Sequence, residues 1–159
     1  MKRCLTNSLS IISVLLSALP LLSAADELVS AEQAYTKGQF RQAAVGYARV
    51  LQDQPTNLDI KTKLAASYHY QEQLEPAERL LNEVLAVDKN YLPALLELGQ
   101  IRSQQQNWKA ARDLYQRAID AEPDNASAHL GLGNALTQLG DESGADVAFA
   151  TYKTLTTQP

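Results

Sequence analysis

The chain contains two histidines, His69 and His129, and one each of cysteine, methionine and tryptophan. Metal and nucleophilic centres are built from such residues, but their spacing here builds none. A zinc site needs three or four convergent nitrogen or sulfur ligands. The histidines stand alone, and Cys4 is far from both, so no metal is expected. The acidic pairs Asp120/Glu122 and Asp141/Glu142 flank turns and read as caps or solvated charge. Gly131-Leu132-Gly133 imitates part of a nucleotide loop but lacks the third glycine and a preceding strand. It reads as helix packing. Asn125-Ala126-Ser127 is a glycosylation sequon, better explained as a helix entry after Pro123. No nucleophile–base pair, phosphate loop or paired carboxylate stands out, so neither an enzyme nor a cofactor is expected.

The first 25 residues differ from the rest. Met1-Lys2-Arg3 is basic, and Leu9 to Leu22 is apolar except for serines and Pro20. Ser23-Ala24-Ala25 then supplies small residues before acidic Asp26. That order predicts a signal peptide over 1–25, cut near Ala24 or Ala25. Retention as an uncleaved anchor is the alternative. The apolar run of about 14 residues is short against the roughly 20 of a membrane span, so no stable span is expected after cleavage. Cys4 precedes the run, which argues against a lipid anchor at a cysteine following it. Loss of Lys2 and Arg3 leaves 12 basic and 18 acidic residues, a formal charge of −6. With Cys4 also gone, no disulfide can form. The acidic balance argues against a nucleic-acid partner. A Gram-negative periplasm is the expected location. About 134 mature residues, 26–159, suit one domain.

What the remaining residues build is visible in "NWKAARDLYQRAIDAEPDN", residues 107–125. Trp108, Ala111, Leu114, Tyr115, Ala118 and Ile119 share one face at helical spacing. Alanine on that face admits a neighbouring backbone, and the aromatics fill the space between. The same stripe returns every 34 residues. Ala43, Ala77, Ala111 and Ala145 form one column; Tyr47, Leu81, Tyr115 and Phe149 form another. Ala31, Ala65, Gly99 and Gly133 form a third, all small. Each unit reads as two helices joined at Gly38, at Gln71–Gln73, at Gln106-Asn107 or at Gly140-Asp141. Pro55 and Pro123 stop the second helix, and Asn or Asp caps the next. Pro76 and Pro93 fall in first turns, where the missing N–H costs little. The units run about 24–57, 58–91, 92–125 and 126–159.

A 34-residue helix–turn–helix unit with small residues at positions 8, 20 and 27, an aromatic at 24 and proline at 32 resembles the tetratricopeptide repeat. Unit three matches best, through Leu98, Gly99, Trp108, Ala111, Tyr115, Ala118 and Pro123. Glu72, Lys89, Val50, Val84 and Glu142 depart from the pattern without breaking a helix. The resemblance implies an all-α fold, an α-solenoid of four such repeats whose first helices line a concave surface.

The resemblance also implies a binding face. The family's ligand-facing positions map onto Tyr35 in unit one and Thr62, His69 and Tyr70 in unit two. They map onto Gln100 and Gln104 in unit three and Asn134 and Gln138 in unit four. The implied partner is another protein or a peptide segment, held by amides, hydroxyls and tyrosines. A carboxylate clamp of the kind some members use is not expected, since only Asn134 is in place, with Lys63 nearby. His129, where a large residue packs on the preceding unit, reads as structural. Exported members assist envelope, pilus or cytochrome c assembly, so a scaffold or chaperone-like adaptor is expected. The alternative is an assembly component acting through its C-terminal repeat. There Phe149 and Tyr152 would dock a partner or a second copy, a weak homodimer.

Overall fold

The computed structural model describes residues 23–157. The leader expected over 1–25 lies outside the described residues except for Ser23–Ala25. Eight helices follow one another: α1 (Ala24–Thr36), α2 (Phe40–Asp53), α3 (Leu58–His69), α4 (Leu74–Val87), α5 (Leu92–Gln104), α6 (Trp108–Ala121), α7 (Ala126–Leu139) and α8 (Glu142–Thr157). First helices begin at residues 24, 58, 92 and 126, and second helices at 40, 74, 108 and 142, steps of 34 throughout. The described residues form an all-helical solenoid of four helix pairs.

Local chemistry sets these boundaries. The Asn57, Asn107 and Asn125 side chains accept from the backbone N–H groups of Ile60, Ala110 and Ala128 at 3.1, 3.3 and 3.0 Å. Each satisfies a donor that the helix start leaves unpaired. Ser23 forms a reciprocal capping box with Asp26 at the start of α1. Within each pair the turn requires one left-handed residue. Gly38 and Gly140 occupy it at φ 72° and 80°, and Glu72 and Gln106 at φ 61° and 58°. These four positions are again 34 apart.

Packing follows the columns. Ala43, Ala77 and Ala111 are fully buried, as is Leu81, and Tyr47 and Tyr115 nearly so. Burying a side chain of Leu81's size stabilises by about 1.5–3 kcal/mol. The small column is there because rings and backbones come close. A Cβ on Gly99 would lie 2.8 Å from Cε1 of Tyr115, and one on Gly133 would lie 2.5 Å from Cε1 of Phe149. Polar ties then join successive pairs. Arg102 of α5 donates to Glu78 of α4 at 2.8 Å, and Arg117 of α6 donates to the Lys89 carbonyl at 2.7 Å. His129 uses Nε2 on the Pro123 carbonyl at 2.8 Å, closing the α6–α7 turn.

Candidate functional site

The first helices touch each other, α3 with α5 and α5 with α7, while consecutive second helices scarcely meet. The stack therefore closes on the first-helix side, and three gaps between first helices make up the inner face. Each gap is filled differently.

Between α1 and α3, Lys63 bonds Glu32 at 2.7 Å and Asp59 at 3.0 Å. Burial alone would lower the Lys63 ammonium, but the two carboxylates outweigh it and hold its pKa well above the usual range. Its charge is already matched, so it is not a free cation for a partner's carboxylate.

Between α3 and α5, His69 directs Nδ1 at Glu97 Oε1, 2.7 Å away, and Nε2 at Gln104 Oε1, 2.9 Å away. Both ring nitrogens face acceptors, so the doubly protonated ring satisfies both. The Glu97 hydrogen bond raises the His69 pKa, against a smaller opposing effect of burial. His69 stacks on Tyr70 with centroids 5.5 Å apart, and the Tyr70 ring stacks on Phe40 at 4.5 Å. Tyr35 meets Phe40 and Tyr70 edge-on, at 5.4 and 6.0 Å. Burial, with Tyr70 and Glu97 adjacent, pushes the Tyr35 phenol well up.

Between α5 and α7 the inner face opens. A cavity of about 380 Å3 lies there, with Gln100 and Ser103 on one wall and Asn134, Thr137 and Gln138 on the other. Tyr115, Trp108 and Gly131 also line it. A side chain at Gly131 would run into the Tyr115 ring. Ser103 and Thr137 turn their hydroxyls onto their own helices, donating to the Gly99 and Gly133 carbonyls at 2.9 Å. No hydrogen bond among the described residues engages the side chains of Gln100, Asn134 or Gln138.

The residues expected on the inner face therefore separate into two groups and an outlier. Tyr35, His69, Tyr70 and Gln104 come together as an internally bonded cluster. Gln100, Asn134 and Gln138 come together around the open cavity. Thr62 belongs to neither. It is buried, and its hydroxyl donates to the Leu58 carbonyl at 2.8 Å. A helical threonine can spend its donor on the carbonyl four residues back, and burial withholds the remaining acceptor from a partner. Phe149 and Tyr152 lie half-buried on α8, with the Phe149 ring seated on Gly133.

Sequence reasoning did not find Glu97 or Phe40 as members of the cluster. Glu97 shares its register position with Lys63, one period earlier, and that shared position was the available signal. It also missed an outer cleft of about 670 Å3 between α2 and the α3–α4 turn, lined by Phe40, Arg41, Val45 and Gln73. Among the described residues there is no cluster of His, Cys, Asp and Glu that could hold a metal, and no helix is long and apolar enough to cross a membrane.

Comparison with known proteins bears on the repeat. A family described as tetratricopeptide repeat matches residues 34–101, and one described as TPR repeat matches residues 99–140. A curated relative, "Protein CTR9 homolog" of Arabidopsis thaliana, is 36% identical over 89 residues, 55% of this chain. The chain spans only 8% of that relative's length. A crystal structure of MamA is 26% identical, with a TM-score of 0.69 over 79% of this chain and 73% of that one. A thermophilic TPR protein of Thermus thermophilus, TTC0263, is 19% identical, with a TM-score of 0.74 over 84% of this chain and 74% of that one. The first TPR of Spaghetti (RPAP3), bound to the HSP90 peptide SRMEEVD, is 23% identical, with a TM-score of 0.68 over 74% and 93%. With adjoining matches to one repeat and four helix pairs on its 34-residue step, the chain belongs to the tetratricopeptide-repeat family.

Proposed function

We propose that this chain is an exported adaptor, chaperone-like, that takes up a segment of a partner protein along its inner face. Repeats of this family generally mediate protein–protein contact, and the Spaghetti repeat carries a bound peptide. The observation that carries the reading is the α5–α7 gap. Gln100, Asn134 and Gln138 face one cavity with their hydrogen-bonding capacity unspent, while the other two gaps are bridged by the chain's own contacts, Lys63 to Glu32 and His69 to Glu97. Amides in that state suit the backbone and polar side chains of an extended segment. The basic–apolar–small order of residues 1–25 supports export, and assembly of an envelope structure is the setting it suits.

The test is photo-crosslinking in the native cell. A photoreactive residue at Gln100 or Asn134 should trap a discrete partner, and one at Val87, exposed at the C-terminal end of α4 and away from the cavity lining, should not. Gln100→Ala with Asn134→Ala should remove the crosslink formed from Gln138 without lowering the melting temperature. Equal trapping from Val87, or a crosslink that survives the double substitution, would overturn the inner-face assignment.

A second reading places the contact at α8. Val147 is 67% exposed there, and Tyr152 is only partly covered. Such a surface suits weak self-association or a heterologous contact at the end of the stack.

A further inference from the structure

We propose that the α5–α7 cavity is a socket for a single aromatic side chain that carries a hydrogen-bonding group, tyrosine or uncharged histidine, presented by the partner protein. The proposal rests on the inner-face reading above and specifies what that face selects.

Moving 34 residues along the chain carries His69 to Ser103, Glu97 to Gly131 and Gln104 to Gln138. In the α3–α5 gap the first three form a closed set, with the imidazole held between the carboxylate and the amide at 2.7 and 2.9 Å. In the α5–α7 gap their three counterparts all line the open cavity. The amide is kept, while the ring and the carboxylate are replaced by a hydroxymethyl group and a hydrogen atom. The cavity is thus the place where the chain, one repeat earlier, seats its own ring.

Shape and charge select the class of side chain that fits. Tyr115 is pressed against both Gly99 and Gly131, and Trp108 also lines the cavity, so part of the lining is aromatic. Rings pack favourably on such surfaces. The remaining lining is amide and hydroxyl. Tyr115 is its single ionisable group, and burial raises that phenol further from ionisation. An ammonium or carboxylate entering the cavity would shed water without meeting an opposite charge. An aliphatic side chain would cover the amides without pairing them. A ring with a polar edge meets both conditions, as His69 does against Gln104.

Trp108 is the chain's single tryptophan, so its fluorescence reports on this cavity directly. The full chain, purified from the compartment it reaches, is titrated with capped tripeptides. Glycine flanks a central tyrosine, histidine, leucine, lysine or aspartate, at a pH above the free imidazole value of about 6.5. Saturable changes in Trp108 emission and in the Gly131 amide resonance are expected for tyrosine and histidine. They should bind at least about tenfold more tightly than the other three. Ser103→His gives the gap a ring of its own and should abolish the response. Should that variant melt early, Gln138→Ala, on an exposed position, should weaken the tyrosine peptide several-fold with the melting temperature unchanged. No saturable response to either ring, equal binding of leucine or a charged residue, or undiminished binding to folded Ser103→His or Gln138→Ala would each overturn the socket. Partner crosslinking through Gln100 that persists when the ring peptides fail would sink this proposal alone. Loss of that crosslinking specificity would sink the inner-face reading beneath it.

Discussion

The Tyr115 ring of α6 lies against the backbone of Gly131 in α7, where any larger residue would collide with it. One contact thereby both couples the third repeat to the fourth and forms part of the cavity wall. Gly131→Ala gains about 1 kcal/mol of helix propensity but forces the ring to move. Overpacking costs about 1–3 kcal/mol, so a net loss of up to about 2 kcal/mol is expected, read as a lower melting temperature. A higher melting temperature would show that the ring yields freely.

The His69–Glu97 pair makes stability depend on pH. The folded His69 pKa is raised above its unfolded value, so the protonated ring favours the folded state. Its contribution is complete below pH about 6.5 and is lost as pH rises through the raised value. Urea unfolding of the native chain should show stability falling across that window, and Glu97→Gln should flatten the fall. An identical slope in both chains would remove the pair as its cause.

His69→Ala goes further, because it strands the Glu97 carboxylate and removes a stacking partner from Tyr70. A cost of about 1–3 kcal/mol is expected from the unpaired group. For the same reason Tyr70→Ala should lower the melting temperature, since the ring is stacked between Phe40 and His69. A neutral result for both would mean that the cluster adds nothing to the fold.

Glu72 and Gln106 adopt the left-handed conformation that Gly38 and Gly140 supply in the other two repeats. A side chain there costs roughly 1–2 kcal/mol, and glycine returns part of that gain through the entropy of the unfolded chain. Glu72→Gly should therefore stabilise by about 0.5–1 kcal/mol, measured by denaturant midpoint. Gly38→Ala should shift the midpoint the other way. Destabilisation by Glu72→Gly would show that the glutamate side chain has a role beyond its backbone angle.

The end of the stack is tested by sedimentation equilibrium. If α8 is a self-association surface, the apparent mass should rise between micromolar and near-millimolar protein. Tyr152→Glu should hold it at the monomer value. A concentration-independent mass would leave only a heterologous contact for Val147 and Tyr152.

The sequence by itself determined the helices, their order and the register of the stack. Helical spacing, asparagine caps and the recurrence of Ala43, Ala77, Ala111 and Ala145 are local features that repeat, and steric exclusion makes each one decisive. The turn position was legible even where glutamate or glutamine fills it, because its spacing from Gly38 and Gly140 does not depend on residue type; its left-handed angle came from the structure. What the inner face does with its polar residues was decided only by tertiary structure. Thr62 satisfies itself within its own helix, and His69 and Gln104 are bound to each other, whereas Gln100, Asn134 and Gln138 remain free to bind. All lay at candidate inner-face positions of the repeat. The partner of a polar side chain is set by rotamer and by the reach across to the next helix. Glu97 stands 28 residues beyond His69, and only the packing of α3 on α5 brings the two into contact.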